Sequence, residues 1–205
     1  DAIDTCVAGG VPVVALIAPL NARSNVSFVG LDAYSVGRTA AWAFDNMVRV
    51  PGRLGILVGN HRYRNQELNE TGFRSYFREH NTAFALLEPE ATYESAAVAQ
   101  EKVETLFRQH PNLCGLFVSG GGISGAVAAL RDIKRRDDFV AVGYELFDTT
   151  RNALVDGRLK MVISHPLEGF ARASIDTMIQ LKKGGTDKGA QNVTLGFEIH
   201  TSENV

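Results

Sequence analysis

A glycine-rich loop, Gly120-Gly121-Gly122-Ile123-Ser124-Gly125, is the clearest motif in the sequence. It follows an apolar segment, precedes a helical one and matches G-x-G-x-x-G, with Glu145 twenty residues after Gly125. Such a loop can present backbone amides at a helix N-terminus to a pyrophosphate, while the acidic residue holds ribose hydroxyls, as in NAD-dependent Rossmann enzymes. Alternatively, the glycines let a helix pack close to a strand and let a ligand approach the backbone. Both interpretations place a polar ligand at this helix terminus and give Glu145 hydroxyl groups to hold.

Residue types suited to catalysis or metal binding are sparse. The sequence has five histidines: His61, His80, His110, His165 and His200. No two of them have metal-ligand spacing on a helix face, and neither H-E-x-x-H nor C-x-x-C occurs. Ser119 and Ser124 do not lie in G-x-S-x-G. We therefore expect that the protein is not an enzyme and has no catalytic residue, metal or cofactor. A nucleophilic serine paired with His165 is an alternative that the spacing does not support.

Three further side chains could contact a ligand. Tyr93 follows Glu-Ala-Thr in a strand-end loop, where it is either a half-buried surface aromatic or a ring that stacks on the apolar face of a sugar. His165 ends an apolar strand, and a strand end is also the ligand edge of an open α/β sheet. His61 lies in a polar loop with Arg62 and Arg64, where it is either a solvated residue or a ligand contact.

The segments that position these residues alternate between two patterns. The continuous apolar run Val11–Ala18 is typical of a strand buried on both faces of a parallel sheet, and Arg53–Gly59 is predicted to be another strand. Runs with a period near 3.6, such as the one after Asp32, predict helices between them. Val193–His200 is predicted to be one closing strand. The alternation indicates an α/β fold with parallel sheets wrapped by helices.

Composition and charge exclude several partners. Hydrophobic residues are 45% and charged residues 21% of the 205, which is ordinary for a globular protein. With 21 basic and 23 acidic residues, scattered along the chain, no concentrated basic surface is expected to bind nucleic acid. No apolar run approaches the length of a membrane span, so no membrane partner is expected. Cys6 and Cys114 are predicted to be small buried apolar residues rather than a disulfide or a metal pair.

Several segments, each weak alone, together resemble the effector-binding core of lactose-repressor (LacI) family transcription regulators, which share their fold with periplasmic sugar-binding proteins. The segments are Gly10–Val14, Val29–Ala40, Gly72–Arg74, Gly115–Val118, Val140–Glu145 and Ile163–Pro166. The resemblance implies a type I periplasmic-binding-protein-like fold, in which three crossovers join two Rossmann-like lobes. Residues 1–30 and 165–192 would form an N-terminally truncated first lobe. Residues 31–164 and 193–205 would form the second lobe.

The resemblance also implies ligand-binding positions. The aromatic residue that stacks on the ligand falls on Tyr93, the acidic residue that accepts sugar hydroxyls falls on Glu145, and the polar residue before proline falls on His165. Three positions depart from the family pattern. They carry Asn69 where Arg is usual, Gly120-Gly121 where Asn-Asp is usual, and Ile17 where an acidic residue is usual.

These departures remove polar contacts to a sugar. Each sugar hydroxyl left unpaired in a buried site would cost about 1–3 kcal/mol. Asn60 and His61 are the expected substitutes. The glycines would leave room for a larger ligand and would offer backbone amides. An anionic sugar or a sugar phosphate is therefore an alternative to a neutral monosaccharide, since helix N-termini favour anions.

By this resemblance the chain is expected to be the ligand-sensing domain of a sugar-responsive, cytoplasmic transcription regulator. Hinge closure on a small polar effector would control operator DNA binding by a helix-turn-helix headpiece outside this chain, in a homodimer. One alternative function is a periplasmic sugar-binding receptor of an ABC transporter. The other is an NAD-dependent enzyme that uses the loop at 120–125.

Overall fold

A computed structural model describes residues 2–80, 83–184 and 189–205 of the chain. Contacts divide it into two compact units. The first unit comprises residues 1–32 and 165–197, and the second comprises residues 33–164 and 198–205. The chain therefore passes from one unit to the other three times, and each unit is described separately below.

The first unit contains a three-stranded parallel sheet in the order β1 (Val14–Leu16), β2 (Ser27–Leu31) and β9 (Asn192–Leu195). Helices α1 (Ala2–Ala8) and α7 (Leu167–Gly184) belong to the same unit. The strand predicted over residues 11–18 is shorter, because Pro12 has no N–H for the ladder and Ile17 turns the chain with a φ of 69°. Cys6 is exposed, so the prediction of a buried thiol is wrong for this residue, whereas Cys114 is buried as predicted.

The second unit is built on a seven-stranded sheet. The strands are β3 (Arg53–Val58), β4 (Ala85–Leu86), β5 (Glu90–Ala91), β6 (Leu113–Val118), β7 (Val140–Tyr144), β8 (Met161–Ser164) and β10 (Glu198–His200). Their order is β10-β8-β7-β6-β3-β4, and β5 also pairs with β3. All pairings are parallel except that of β10 with β8. The predicted α/β class with parallel sheets is therefore confirmed.

Helices in the described part of the second unit cover this sheet. They are α2 (Ala33–Met47), α3 (Arg64–His80), α4 (Ala96–Gln109), α5 (Ile123–Asp132) and α6 (Asp148–Val155). Every residue of β6, β7 and β8 is buried, as expected for central strands covered on both faces. Phe73 joins α3 to the core, since its ring stacks on Phe117 at 5.2 Å and meets Phe44 edge-on at 5.6 Å.

The closing segment differs from the single strand predicted over 193–200. It divides at Gly196-Phe197 into β9, which runs parallel to β2 in the first unit, and β10, which runs antiparallel to β8 in the second. Residues 193–197, assigned from sequence to the second lobe, thus lie in the first unit. Two short strands with a glycine between them give the same apolar pattern as one long strand, so the division is not visible in the sequence.

Candidate functional site

The carboxyl ends of β3, β5, β6 and β7 meet at one edge of the second unit's sheet, because these strands run parallel. The loops that leave this edge begin at Gly59, Thr92, Ser119 and Glu145. They contain six of the residues singled out from the sequence: Asn60, His61, Tyr93, Gly120, Gly121 and Glu145. Such an edge is where open α/β sheets bind their ligands.

Among the residues that the structure describes, four other than glycine have a left-handed backbone: Ile17, Tyr93, Glu94 and Glu145, with φ between 52° and 69°. Each lies just beyond the end of a parallel strand, namely β1, β5 or β7. This conformation costs about 1–3 kcal/mol in a residue with a Cβ and concentrates at functional sites. Three of the four are predicted ligand contacts, and Glu94 is the residue that the sequence did not reveal.

The loop carrying Tyr93 and Glu94 is fixed at both ends. The buried Thr92 donates its Oγ1 hydrogen to the carbonyl of Gly121 at 2.7 Å, and its amide donates to Val58 O at 2.8 Å. Ser95 caps α4 by accepting a bond from Val98 N. Between these anchors the side chain of Tyr93 is 70% exposed, so packing does not account for its strained backbone.

The glycine loop is packed against neighbouring backbone and polar side chains. A Cβ on Gly120 would lie 2.5 Å from Gly59 N and 2.7 Å from the Gln66 amide. A Cβ on Gly121 would overlap the Glu94 carboxylate, and one on Gly125 would overlap the carbonyl of Ala96. Of the two explanations for these glycines, close packing of a helix is the one that the contacts favour. A carboxylate at the loop also opposes a bound pyrophosphate, which argues against the NAD-binding interpretation.

Two buried amides lie beneath this loop. Gln66 Oε1 accepts hydrogen bonds from Gly59 N at 2.7 Å and Asn60 N at 3.0 Å, while its Nε2 donates to Glu94 Oε1 at 3.4 Å. Asn69 is fully buried and donates from Nδ2 to Ser119 Oγ at 3.0 Å. Among the described residues, nothing donates to Asn69 Oδ1. The structure thus brings Asn69 to the base of the glycine loop.

Glu145 leaves the edge beside this loop, since β7 pairs with β6. Its amide donates to Ile163 O at 2.8 Å, and its carbonyl accepts from Thr150 Oγ1 at 2.8 Å, so the backbone turn is held on both sides. Burial, followed by the nearby charge of Glu145, raises the pKa of the Tyr144 hydroxyl far above its usual value. Tyr144 is therefore a neutral core residue that packs behind the edge.

The remaining predicted positions divide between the units. Asn60 is half-buried and its Oδ1 accepts from Arg62 N at 3.0 Å, whereas His61 is exposed. Ile17 and His165 belong to the first unit. Ile17 is exposed after β1, with its amide bonded to Val29 O at 3.0 Å. His165 is buried and meets the Phe170 ring edge-on at 5.1 Å.

Within residues 2–80, 83–184 and 189–205, no group of three His, Cys, Asp or Glu side chains is placed to hold a metal ion. In the same ranges, no helix is both long and apolar enough to cross a bilayer.

Comparison with known proteins places residues 1–186 in the family described as periplasmic binding protein domain. The chain is 25% identical over 153 residues to a xylose/arabinose-binding protein of Sulfolobus acidocaldarius, an alignment that covers 71% of this chain and 37% of that protein. It is 21% identical over 199 residues to a D-apiose import binding protein of Paraburkholderia graminis, covering 96% of this chain and 63% of the relative. The chain thus spans less than two thirds of the length of either relative.

Solved structures show the same fold. An ABC transporter solute-binding protein of Agrobacterium vitis with bound D-fucose superposes with a TM-score of 0.87 at 18% identity, covering 99% of this chain and 70% of that one. The type I periplasmic-binding-protein-like fold is therefore confirmed.

These comparisons contradict the function and location that were expected from the LacI resemblance. The interpretation as a LacI family transcription regulator is wrong, and with it the DNA-binding role and the cytoplasmic location, because the relatives are named as sugar-binding and import proteins. Operator DNA and a homodimer were implied only by the regulator resemblance and find no support in these relatives. The quoted segments lie in strands, helices and loops of a fold that the two families share, so they report the fold rather than its use.

Proposed function

Because the chain belongs to the periplasmic binding protein domain family, we propose that it binds a sugar as part of the solute receptor of an ABC importer, outside the cytoplasm. The observation that carries the proposal is Tyr93, a largely exposed aromatic ring held on a left-handed backbone next to Glu94, at the same sheet edge as Glu145. Aromatic rings stack on the apolar faces of sugars, and carboxylates accept hydrogen bonds from their hydroxyls. The names of the relatives support the same class of ligand.

In this proposal Tyr93 stacks on the sugar ring, and Glu145 accepts hydrogen bonds from two hydroxyls. Asn69 and the backbone of Gly120-Gly121 form the floor of the subsite, with Asn60 at its margin. His61, His165 and Ile17 stay predictions from the sequence. The alternative at the same loop, NAD, is opposed by the carboxylate that occupies the glycine loop.

The test is a thermal-shift screen of pentoses and hexoses, followed by calorimetric titration of each sugar that raises the melting temperature. A ligand at 100 times its Kd stabilises the folded chain by about 2.7 kcal/mol, which a melting curve resolves easily. Tyr93→Ala and Glu145→Ala should each abolish the shift. Trp42→Ala, a matched loss of an exposed aromatic on α2, should leave it unchanged.

Two results would count against the proposal in different ways. If no sugar binds while NAD does, the function is wrong. If a sugar binds equally well to wild type, Tyr93→Ala and Glu145→Ala, the function stands and the site lies elsewhere.

A further inference from the structure

Glu94 occupies the place that a side chain on the glycine loop would fill. Its Oε1 lies where a Cβ on Gly59 would project, and its Oε2 lies where a Cβ on Gly121 would project. The carboxylate therefore sits between the ends of β3 and β6, although Glu94 itself follows β5. The two glycines leave room for a charged group from a third loop.

The carboxylate has hydrogen-bonding capacity to spare. Among the described residues, Gln66 Nε2 donates to it at 3.4 Å, a long contact, whereas a carboxylate has about four lone-pair sites. Glu94 is exposed, and its φ of 61° follows directly on the strained Tyr93. Neither packing nor a tight ion pair explains why the chain holds a carboxylate here.

A second observation points to a ligand at the same place. Asn69 is fully buried and bonded to Ser119, the residue before the glycine loop, yet its Oδ1 has no donor among the described residues. A buried acceptor without a donor is costly. Glu94 and this Oδ1 both accept hydrogen bonds, so a ligand that contacts them must bring donors.

We propose that Glu94 is a ligand-binding residue that selects sugars carrying only hydroxyl or ammonium donors and rejects sugar acids and sugar phosphates. This inference rests on the proposed function and narrows its ligand class. An anionic sugar would bring a second negative charge close to the Glu94 carboxylate, which lies against Gly121, two residues before α5 begins. The anionic ligand considered from the sequence is therefore disfavoured.

The experiment compares matched ligands on the full chain by calorimetric titration. Each neutral aldose that binds is measured beside its uronic acid, its 6-phosphate and its 2-amino sugar. The wild type should bind the neutral or amino sugar at least about tenfold more tightly than the acid, the ratio expected for one repelled charge at partial exposure. Glu94→Gln should weaken the neutral sugar about tenfold and remove most of the discrimination against the acid.

Two further variants test whether the loss of binding comes from the Glu94 carboxylate itself. Gly121→Ala should reproduce the loss seen in Glu94→Gln, because its methyl group overlaps the movable Glu94 carboxylate and displaces it, while the nearest backbone atom, Glu94 Cα, lies 3.2 Å away. Glu101→Gln removes the same charge from the exposed side of α4 and should change neither affinity nor discrimination.

The possible failures are distinct. Binding of a neutral sugar that is unaffected in both Glu94→Gln and Gly121→Ala, or a wild-type preference for the acid, would overturn the role of Glu94 and leave the proposed function intact. Absence of binding to every neutral, amino and acidic sugar would overturn both.

Discussion

Tyr93 and Glu94 are consecutive residues with φ values of 52° and 61°, although neither is a glycine. The anchors on either side, Thr92 and Ser95, are what hold them in this conformation. A left-handed residue with a Cβ costs about 1–2 kcal/mol, and an exposed tyrosine recovers little of that by packing. The strain is therefore consistent with a backbone shaped for a ligand rather than for stability.

Substitutions at Tyr93 should separate the cost of the strained backbone from the loss of the ring. Tyr93→Gly should be about 1 kcal/mol more stable than Tyr93→Ala in urea titrations, because only glycine adopts the left-handed region without strain. Both variants should lose sugar binding, since both lack the ring. Equal stability of the two variants would mean that the backbone at this position is not strained.

Single residues of this kind mark the limit of what the sequence could predict. Tyr93 and Glu145 were identified by residue type at strand ends, and the structure places both on the edge of one sheet. Glu94 and Gln66 were missed. Their roles depend on which loops lie side by side across β3, β5 and β6, and no local pattern signals a left-handed glutamate.

Helices α2 and α3 cross at two glycines, each of which lies against the backbone of the other helix. A Cβ on Gly37 would overlap the carbonyl of Asn69, and one on Gly72 would overlap the carbonyl of Tyr34. Further bonds join the helices, including Tyr34 Oη to Ser75 Oγ at 2.8 Å. Because Asn69 lies at this crossing and under the glycine loop, the packing of two helices positions a residue of the candidate site.

Gly72→Ala should therefore destabilise the second unit, in spite of alanine's higher helix propensity. The methyl group meets backbone that cannot move aside, so we expect a loss of about 1–3 kcal/mol, as for other overpacked cores. Gly169→Ala is the matched control in α7, where the nearest atom to the new Cβ is at 3.9 Å, and it should be neutral or stabilising. Equal effects in chemical denaturation would show that the crossing tolerates the methyl group.

Asp138 ties the loop after α2 to the loop before β7. It accepts bonds from Arg136 Nε at 2.6 Å, Arg136 Nη2 at 2.7 Å and Val50 N at 3.1 Å. The hydrogen bond from Arg136 is the largest cause that lowers the pKa of Asp138 from 3.8 to about 2. A carboxyl with a lowered folded-state pKa stabilises the fold above its unfolded pKa and loses that contribution as pH falls through the folded value.

Asp138→Asn should accordingly be less stable than wild type at pH 6, by at most about 1 kcal/mol because the pair is partly exposed. The difference should narrow as the pH falls from about 4 towards 2. Urea titrations of both proteins between pH 6 and pH 3 measure it. A difference that stays constant over this range would assign the effect to the amide side chain rather than to the charge.

The order of helices and strands was largely predictable, because buried parallel strands and amphipathic helices leave clear periodic patterns. The division of the last segment between the two units was not predictable. β9 and β10 lie on either side of Gly196 and pair with strands of different units. Val193 and Ile199 look like residues of one strand in the sequence. Only the partners β2 and β8, distant in sequence, separate them.

The two units differ in how well they bury apolar side chains. In the described part of the second unit, the strands β3, β6, β7 and β8 and the helices around them supply most of the buried hydrophobic residues. In the described part of the first unit, the buried hydrophobic residues are Ala15, Val29 and Leu31. Its exposed large hydrophobic side chains are Val11, Leu16, Ile17, Leu20, Leu167, Ile175, Met178 and Ile179. Burial drives folding, so the first unit of this chain should be the less stable one.

Unfolding of the chain in urea should therefore occur in two phases. Circular dichroism reports helices of both units, whereas the single tryptophan, Trp42, lies on α2 of the second unit. The circular dichroism signal should begin to fall before Trp42 emission changes, because α1 and α7 are lost first. Val29→Ala should shift only the early phase and Val142→Ala only the late one, each by about 1–3 kcal/mol. Coincident transitions for the two probes would instead mean that the units unfold as one cooperative body in spite of their unequal cores.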